Sequence, residues 1–295
     1  MTSPSPAPAL PDGLWDAPVV LAATPIGNLS DATDRLRALL ASAEIIAAED
    51  TRRTRHLCQA LGVSPAGRMV SLHEHNEAAR AAEVVAAATE GARVLVVSDA
   101  GMPGVSDPGF RLVTAAIAAD VGVTVAPGAS AVTTALALSG LPTDRFTFAG
   151  FPARKGAERR RLVRRLVNEE WTTVLLESPH RTAATVAELA EQLGAGRRAA
   201  VCRELTKKHE EVLRGTLGEL TEQLVEREVR GEVVLVIGGA EEPEEEITAE
   251  ELAAEVLRRT EAGVKLKVAA KEVAADHGFS SRELYDAALS LRGAS

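Results

Sequence analysis

The feature that most constrains the fold is a loop of twelve residues, 98–109, with the sequence SDAGMPGVSDPG. It follows the apolar run Val94–Val97 and precedes a helical pattern over 110–117. Open α/β sheets build binding crevices from a buried strand, a loop rich in Gly and Pro, and a helix in this order. A connection of this kind usually takes about 2–6 residues. The extra length, with Asp99 and Asp107 present and no Lys or Arg, favours a binding loop over a simple connector.

The first half of the chain alternates apolar strand patterns with helical patterns, which predicts a parallel sheet with helices on both faces. Two more Gly/Pro loops, 24–29 and 127–131, follow the predicted strands 19–23 and 123–126. The carboxyl ends of parallel strands share one edge of the sheet. The sequence therefore predicts that these loops and loop 98–109 meet at one crevice.

The second half has predicted strands over 146–149, 172–176, 198–203, 211–214 and 232–237, with helices between them. Two consecutive strands without a helix between them indicate a mixed sheet, and so an α+β second domain. Past residue 247, two capping-box patterns and a Gly-containing turn predict a helix-turn-helix-like module. The predicted divisions are a disordered tail (1–17), an α/β domain (18–145), a second domain (146–240), an acidic linker (241–247) and the helical module (248–295).

The composition excludes several classes of protein. With 295 residues, of which 46% are hydrophobic, the chain can bury a large core. It lacks an apolar run of about 20 residues and a signal-peptide pattern at its start. Cys58 and Cys202 have no metal-type spacing. They are expected to be buried thiols in a reducing, cytoplasmic protein without a metal or a membrane anchor.

The charge is unevenly distributed along the chain. The net charge is −9, but seven glutamates fall within 241–251. The segment 154–165 instead holds seven Lys and Arg residues and a single Glu. Such a run is often only a solvated helix face. It also suits a polyanion that docks on one face of an otherwise acidic protein.

The crevice lacks the usual phosphate-binding patterns. The sequence has no Walker lysine motif and no Gly-x-Gly-x-x-Gly at the start of a helix. Asp99 and Asp107 would suit a ligand with cationic parts, such as a sulfonium or an amino group. A nucleotide bound through its phosphates is less well supported.

These segments together resemble the tetrapyrrole methylase superfamily, and within it the branch that methylates ribose in small-subunit ribosomal RNA. The motifs that carry the resemblance span about residues 18–238. They are TPIGNL (24–29), AAEDTR (47–52), HEHNE (73–77), SDAGMP (98–103), SDPG (106–109), SGLPTDRF (139–146), ESPHR (177–181) and RELTK (203–207). The tail over 247–292 is similar to the helical extension of many members. Met102 stands where Thr is usual and Ala129 where Pro is usual, so the fine geometry of the ligand site is open.

The resemblance implies a two-domain tetrapyrrole-methylase-like fold with S-adenosylmethionine bound in the cleft between the domains. It implies methylation of the 2'-hydroxyl of a cytidine in the decoding region of 16S rRNA, with the rRNA or the small ribosomal subunit as partner, and a homodimer. The implied cofactor residues are Pro25, Gly27, Asp99, Ala100, Gly101, Met102, Pro103, Ser106, Gly128, Ser130 and Ala131.

A ribose hydroxyl is a weak acid, so its attack should be helped by a base or a hydrogen-bond acceptor. Candidates at the ends of two neighbouring predicted strands are Glu49, Asp50, His73, Glu74 and His75, with His75 preferred. Their alternative role is to hold loops together.

Phosphates of the rRNA are expected on basic side chains, and four residues near the second domain are expected to orient the cleft or the substrate. The basic candidates are Arg52, Arg53, Arg154, Lys155, Arg159, Arg160 and Arg161. The cleft candidates are Glu177, Arg181, Arg203 and Glu204.

Two other functions remain open at this point. One is a sibling enzyme that methylates a small macrocycle such as a precorrin, which would leave the basic segment 154–165 without a use. The other is a non-enzymatic RNA-binding or ribosome assembly factor. Binding of S-adenosylmethionine separates both enzymes from the assembly factor.

Overall fold

The computed structural model describes residues 13–73, 76–240 and 248–293. The chain divides into two compact units, residues 1–240 and residues 241–295. Residues 1–12 of the predicted tail and the predicted linker 241–247 lie outside the described residues. The prediction of disorder is wrong for 13–17, because Leu14 is buried in a hydrophobic cluster and the Trp15 ring nitrogen donates to Ser42 Oγ at 3.0 Å.

The first sheet has five parallel strands in the order β3-β2-β4-β1-β5. The strands are β1 (Val19–Ala22), β2 (Ile45–Ala48), β3 (Arg68–Ser71), β4 (Val94–Val97) and β5 (Val123–Ala126). The helices that follow them are α1 (Asp34–Ser42), α2 (Thr51–Ala60), α3 (Glu77–Thr89), α4 (Phe110–Ala118) and α5 (Ala131–Ser139). This is the predicted parallel α/β arrangement.

Both faces of this sheet are covered, as the continuously apolar strands predict. Alternate residues of a strand point to opposite faces. In β4, Leu95 packs in the cluster that contains Leu36 and Leu40 of α1. Val96, the next residue, packs in the cluster that contains Val84 of α3 and Leu112 of α4. The predicted helices on both faces are confirmed.

The second sheet is mixed, as predicted, with strand order β6-β7-β10-β8-β9. Only the pair β6 and β7 is parallel. Its strands are β6 (Phe146–Phe148), β7 (Thr172–Glu177), β8 (Arg198–Arg203), β9 (Glu211–Thr216) and β10 (Val233–Ile237). Its helices are α6 (Ala157–Val167), α7 (Pro179–Leu193) and α8 (Leu217–Val225).

Helix α5 joins the two sheets of the first unit. It follows β5 of the first sheet, yet its buried residues Val132, Ala135 and Leu136 share a hydrophobic cluster with Val174 of β7 and Val236 of β10. The sequence assigned α5 to the first domain because it lies before residue 145. In the structure, α5 instead packs on one face of the second sheet, although it directly follows a strand of the first sheet. The two sheets therefore form one unit with a cleft inside it.

Residues 248–293 form three helices, α9 (Ala249–Glu261), α10 (Leu266–His277) and α11 (Ser281–Gly293). The predicted capping box of Thr248 and Glu251 is present, and α10 ends at Gly278 with a φ of 73°. The helices enclose a small core of their own, which includes Val256, Val273 and Leu284. The predicted helical module is thus a separate unit with its own core.

Candidate active site

A cavity of about 360 Å³ lies between the two sheets of the first unit. From the first sheet's side it is lined by Ile26, by residues of loop 98–109 and by the start of α5. The predicted cofactor residues that line it are Ala100, Gly101, Met102, Ser106, Ser130 and Ala131. The three Gly/Pro loops therefore meet at one pocket, as predicted from the shared edge of parallel strands.

Two main-chain hydrogen bonds between Thr24 and Gly101 tie the first two loops together. Thr24 N donates to Gly101 O at 2.9 Å, and Gly101 N donates to Thr24 O at 3.0 Å. Gly101 has a φ of 85°, which L side chains rarely adopt. A Cβ there would also meet Ile26 Cγ2 at 3.3 Å. A glycine is needed at this position for the loops to pair so closely.

Ser106 adopts a positive φ of 62°, which is uncommon outside glycine. Strained backbone of this kind concentrates at functional sites, where the surrounding structure holds it. Ser106 lines the cavity, and its Oγ lies 3.7 Å from the position of a Cβ on Gly150 of the second sheet's side. The strained residue Ser106 therefore lies where the loop of the first sheet approaches the segment that follows β6.

The remaining cofactor candidates lie on the same loops but do not line the cavity. Gly27 lies against the 205–207 segment, where a Cβ would come within 2.9 Å of Thr206 Oγ1. Gly128 lies against Ala23, whose Cβ would be 3.0 Å from a Cβ added at Gly128. The other three are Pro25, Asp99 and Pro103. Their contribution to ligand binding stays a prediction.

The second sheet supplies lining residues that the sequence analysis missed. They are Phe151, Leu176, Ser178, Pro179 and the run 231–234 at the start of β10. Strand β10 runs antiparallel to β7, with Val233 opposite Glu177. The start of β10 therefore lies at the same edge as the carboxyl end of β7. The sequence did not reveal that β10 runs antiparallel to β7, so residues 231–234 were not predicted to line the cavity.

Glu49 and Asp50, both candidate catalytic residues, lie beside Asp99 at the carboxyl ends of β2 and β4. Asp99 N donates to Glu49 Oε2 at 3.3 Å, and Asp50 N donates to Asp99 Oδ1 at 3.1 Å. Burial raises the pKa of Glu49, and the charge of Asp99 adds to this effect. Asp50 instead caps α2 and pairs with Arg52, which lowers its pKa. Asp50 is therefore committed to holding the helix start.

Asp107, which the sequence analysis paired with Asp99 as suited to a cationic ligand, lines the cavity, whereas Asp99 does not. Burial raises the pKa of Asp107 to about 7, helped by the nearby charges of Glu49 and Asp99 and opposed by the Ser98 hydroxyl. Perturbed carboxyl groups in a cleft are typical of functional sites. The sequence signal was its place in the same loop as Asp99.

The two predicted histidines follow β3. His73 is exposed, and its main-chain nitrogen donates to Asn76 Oδ1 at 2.9 Å. His75 and Glu74 lie outside the described residues. A catalytic role for His73 or His75 stays a prediction.

Glu177 and Arg181, two of the cleft candidates, form a buried ion pair at the cavity wall. The Glu177 side chain is fully buried, and its Oε1 accepts from Arg181 Nε at 2.8 Å. Its Oε2 accepts from Thr185 Oγ1 at 2.7 Å. A buried carboxylate with all these partners is held rigidly and defines the end of β7.

The other cleft candidates, Arg203 and Glu204, form internal pairs. Arg203 pairs with Glu211 across β8 and β9 at 3.0 Å. Glu204 pairs with Lys207 at 2.7 Å and accepts from Glu232 N at 3.0 Å. They support the 231–234 wall and are not themselves among the lining residues.

The predicted RNA-binding residues differ in their exposure and in their ion pairs. Arg154, Lys155, Arg160 and Arg161 are exposed on and before α6. Arg159 points inward, with its side chain 11% exposed, and pairs with Glu188 of α7. Arg52 and Arg53 pair with Asp50 and Asp99. The structure thus makes Arg159 unsuitable as a phosphate contact, because the helical period turns this position toward α7.

Comparison with known proteins identifies the family. The sequence profile of the Tetrapyrrole (Corrin/Porphyrin) Methylases matches residues 18–221, more than half of the chain. The chain belongs to the tetrapyrrole methylase family. A second profile, the RsmI C-terminal HTH domain, matches residues 245–292 of this methylase.

Relatives of this methylase extend over nearly its whole length. The ribosomal RNA small subunit methyltransferase I of Mycobacterium bovis is 51% identical over 93% of this chain and 95% of its own. The protein with the same name from Escherichia coli O157:H7 is 39% identical over 92% of this chain and 94% of its own.

Solved structures of methyltransferases share the fold of this methylase. The methyltransferase CobJ has a TM-score of 0.56 at 22% identity and covers 75% of this chain and 94% of its own. Uroporphyrin-III C-methyl transferase from Thermus thermophilus, complexed with S-adenyl homocysteine, has a TM-score of 0.53 at 21% identity and covers 75% of this chain and 96% of its own. At these identities the likeness establishes the fold alone.

Over the part of the chain that the structure describes, this methylase has no grouping of three His, Cys, Asp or Glu residues that could hold a metal ion. Nor does any helix there have the length and apolar character to cross a membrane. Cys58 and Cys202 are both buried, as predicted.

The raised pKa of Asp107 predicts a pH-dependent cost in stability. Its pKa moves from 3.8 in the unfolded chain to about 7 in the fold, so folding favours the protonated form. Stability from this group is complete below pH 3.8 and is lost as the pH rises toward and through about 7. We expect D107N to melt at a higher temperature than the wild type at pH 8, and the difference to shrink by pH 4.5. A difference that does not change with pH would contradict this assignment.

Proposed function

We propose that this protein transfers a methyl group from S-adenosylmethionine to the ribose 2'-hydroxyl of a cytidine in 16S rRNA. The observation that carries the proposal is the pairing of an acidic pocket with an exposed basic helix. The pocket has Asp107, Glu177 and Glu232 in its lining, and no Lys or Arg among its described lining residues. Helix α6 and the residues before it carry exposed cations. The full-length relatives named as rRNA methyltransferases support the same assignment.

The pocket fits the proposed cofactor in size and chemistry. A volume of about 360 Å³ lies within the usual range for small-molecule sites, about 300–1,000 Å³. No Lys or Arg among the described lining residues opposes the amino group and the sulfonium. The first amides of α5, at Ala131 and Val132, are helix N-terminal donors suited to a carboxylate. Apolar residues such as Ile26 and Val234 would cover the less polar part of the ligand.

The chain's contribution to the reaction is to position the acceptor and take up its proton. When bound, S-adenosylmethionine supplies a methyl group on a positively charged sulfur, which leaves as a neutral thioether. Holding the ribose oxygen in line with that methyl supplies much of the acceleration. The proton of the hydroxyl passes to a base as the new oxygen–carbon bond forms.

We propose Asp107 as that base, with Glu49 as its neighbour. Asp107 is in the pocket lining, and a pKa of about 7 leaves a useful fraction of it ionised at neutral pH while keeping it basic. Glu49 raises that pKa through its charge. Asp50 is less suited because it is engaged with Arg52 and the start of α2. His73 and His75 remain candidates for contacts with the substrate.

The alternatives from the sequence are less well supported. A macrocycle methylase has no use for the exposed cations of 154–165, and an assembly factor has no use for a rigid acidic pocket. The uroporphyrin-III C-methyl transferase structure covers 75% of the chain, whereas the rRNA small subunit methyltransferases of Mycobacterium bovis and Escherichia coli O157:H7 cover 93% and 92% of it.

We also propose that the protein forms a homodimer through α4. Phe110 and Ile117 are 72% and 68% exposed, respectively. Residues seven apart lie on one face of a helix, so the two side chains form an apolar stripe. Because α4 follows loop 98–109 directly, a second copy on this stripe would support the loop of the active site.

The assay that tests the function uses labelled S-adenosylmethionine and small ribosomal subunits from a methylation-deficient strain. We expect one cytidine of the 16S rRNA to acquire the label on its ribose. Nuclease mapping and mass spectrometry of the nucleoside locate it. Label on a base, or no transfer by a folded protein that binds the cofactor, would refute the proposal.

Neutralising the exposed arginines of α6 should weaken RNA binding in a salt-dependent way. Each lost phosphate contact makes the negative slope of log K against log salt shallower by about 0.7–0.9. We expect the triple variant R160Q/R161Q/R164Q to make this slope shallower by about 2 to 3, measured by filter binding over a salt series. Calorimetry should show unchanged cofactor binding.

The matched control for this experiment is R68Q/R80Q/R93Q. These arginines are on the first sheet's side of the unit and pair with Glu83 or Glu44. This control variant removes the same three positive charges and leaves α6 unchanged. An equal loss of slope in both triple variants would indicate a general charge effect and contradict the assignment of α6.

A charge on the apolar stripe of α4 should separate the dimer. We expect I117D to behave as a monomer in light scattering at concentrations where the wild type is a dimer, because burying an unpaired carboxylate is costly. V225D serves as the control, since Val225 is equally exposed but lies on α8. A monomeric wild type, or an unchanged mass for I117D, would contradict the proposed interface.

A further inference from the structure

Phe151 is an exposed aromatic ring at the wall of the active-site pocket. The chain has five phenylalanines, two tryptophans and one tyrosine, and among the described lining residues of the pocket Phe151 is the aromatic one. Phe151 lines the cavity while 61% of it remains exposed. Neither the proposed cofactor contacts nor the proposed base uses it.

The backbone on both sides of Phe151 is held by the second sheet and α7. Leu176 N donates to Gly150 O at 3.0 Å. Arg181 Nη2 donates to Pro152 O at 3.0 Å, and Arg159 Nη1 donates to Ala153 O at 3.2 Å. The carbonyl before Phe151 and the two carbonyls after it are thus all bonded to structured parts of the protein.

The two arginines are themselves fixed by partly or fully buried groups. Arg181 pairs with the fully buried Glu177, and Arg159 pairs with Glu188 and donates to Thr185 Oγ1 at 3.1 Å. Thr185 also donates to Glu177, which links the two pairs into one network. A satisfied network of this kind is rigid. Its mechanical effect is to hold the 150–153 segment, and with it the exposed ring, at the pocket wall.

A fixed aromatic ring beside cations is the arrangement that recognises unpaired RNA. Proteins bind single-stranded nucleotides by stacking bases on aromatic rings and contacting the backbone with basic side chains. Arg154 and Lys155 are exposed and follow Phe151 within four residues. Enzymes that do chemistry on a base take the nucleotide out of its stack and hold the base between aromatic or apolar side chains.

We propose that Phe151 stacks on the base of the nucleotide being methylated and holds it, unstacked from its RNA neighbours, at the mouth of the pocket. This inference rests on the proposed function. Arg159 and Arg181 act as positioning residues for the ring. The enzyme therefore requires its target nucleotide to be unpaired or extruded, and recognises it partly by its aromatic face.

The test compares F151L, F151W and the wild type with small ribosomal subunits as substrate. Leucine keeps the apolar character but has no ring, whereas tryptophan keeps a stacking surface. We expect kcat/KM for F151L to fall roughly 5- to 150-fold, the range that corresponds to the loss of one stacked base. F151W should retain most of the activity, and calorimetry should show unchanged binding of S-adenosylmethionine. F146L is the matched control, since Phe146 is partly exposed on β6 and outside the pocket lining.

A fluorescence experiment reports the stacking directly. A short RNA with a fluorescent base analogue at the nucleotide identified by label mapping is titrated with each protein. We expect a change in the fluorescence of the base analogue with the wild type, F151W and F146L, and none at saturating F151L, because only a ring at position 151 holds the base away from its RNA neighbours. Circular dichroism verifies that each variant is folded.

The outcomes separate the two proposals. No methyl transfer by the wild type would refute the proposed function itself. An active wild type with F151L equal to it in both kcat/KM and fluorescence change would overturn the stacking inference alone. Loss of cofactor binding in F151L would assign the ring to the cofactor and likewise overturn the inference.

Discussion

The paired hydrogen bonds between Thr24 and Gly101 hold the candidate site together. They join loops that leave two adjacent parallel strands, β1 and β4, beyond the point where the sheet itself ends. They require a glycine with positive φ at 101, since a side chain there would press against Ile26. Once these loops are joined, Met102 and Ser106 line the cavity between the two sheets, and the first sheet's side of the cleft acquires a continuous wall.

The first unit keeps carboxylates in its cleft and exposed cations on α6. Inside the cleft, buried carboxylates that lack nearby cations have raised pKa values, as Asp107 shows. At the cleft wall, Glu177 is buried with Arg181 and a hydroxyl donor, so its charge is compensated. Outside, the cations of α6 are solvated. This separation lets one small unit attract a polyanion without presenting cations to the pocket.

Much of the fold could be predicted from local patterns. The continuously apolar strands indicated a sheet buried on both faces, and the Gly/Pro loops indicated the edge at which a ligand binds. The capping box at Thr248 placed the start of α9 correctly. Leu14 and Trp15 were misjudged because the prolines before them suggested a disordered tail, whereas their own apolar surface is buried against the first sheet's core.

The sequence by itself determined the parallel sheet, the three convergent loops, the carboxylates of loop 98–109 and, through its motifs, the family. These depend on residue type and local order, which a linear pattern records. Only the tertiary structure decided that α5 packs on the second sheet, that β10 brings 231–234 to the cleft, and that Arg159 points inward while Arg160 faces solvent. Each of those outcomes depends on which distant surface buries a given face, and burial is a property of the folded chain as a whole.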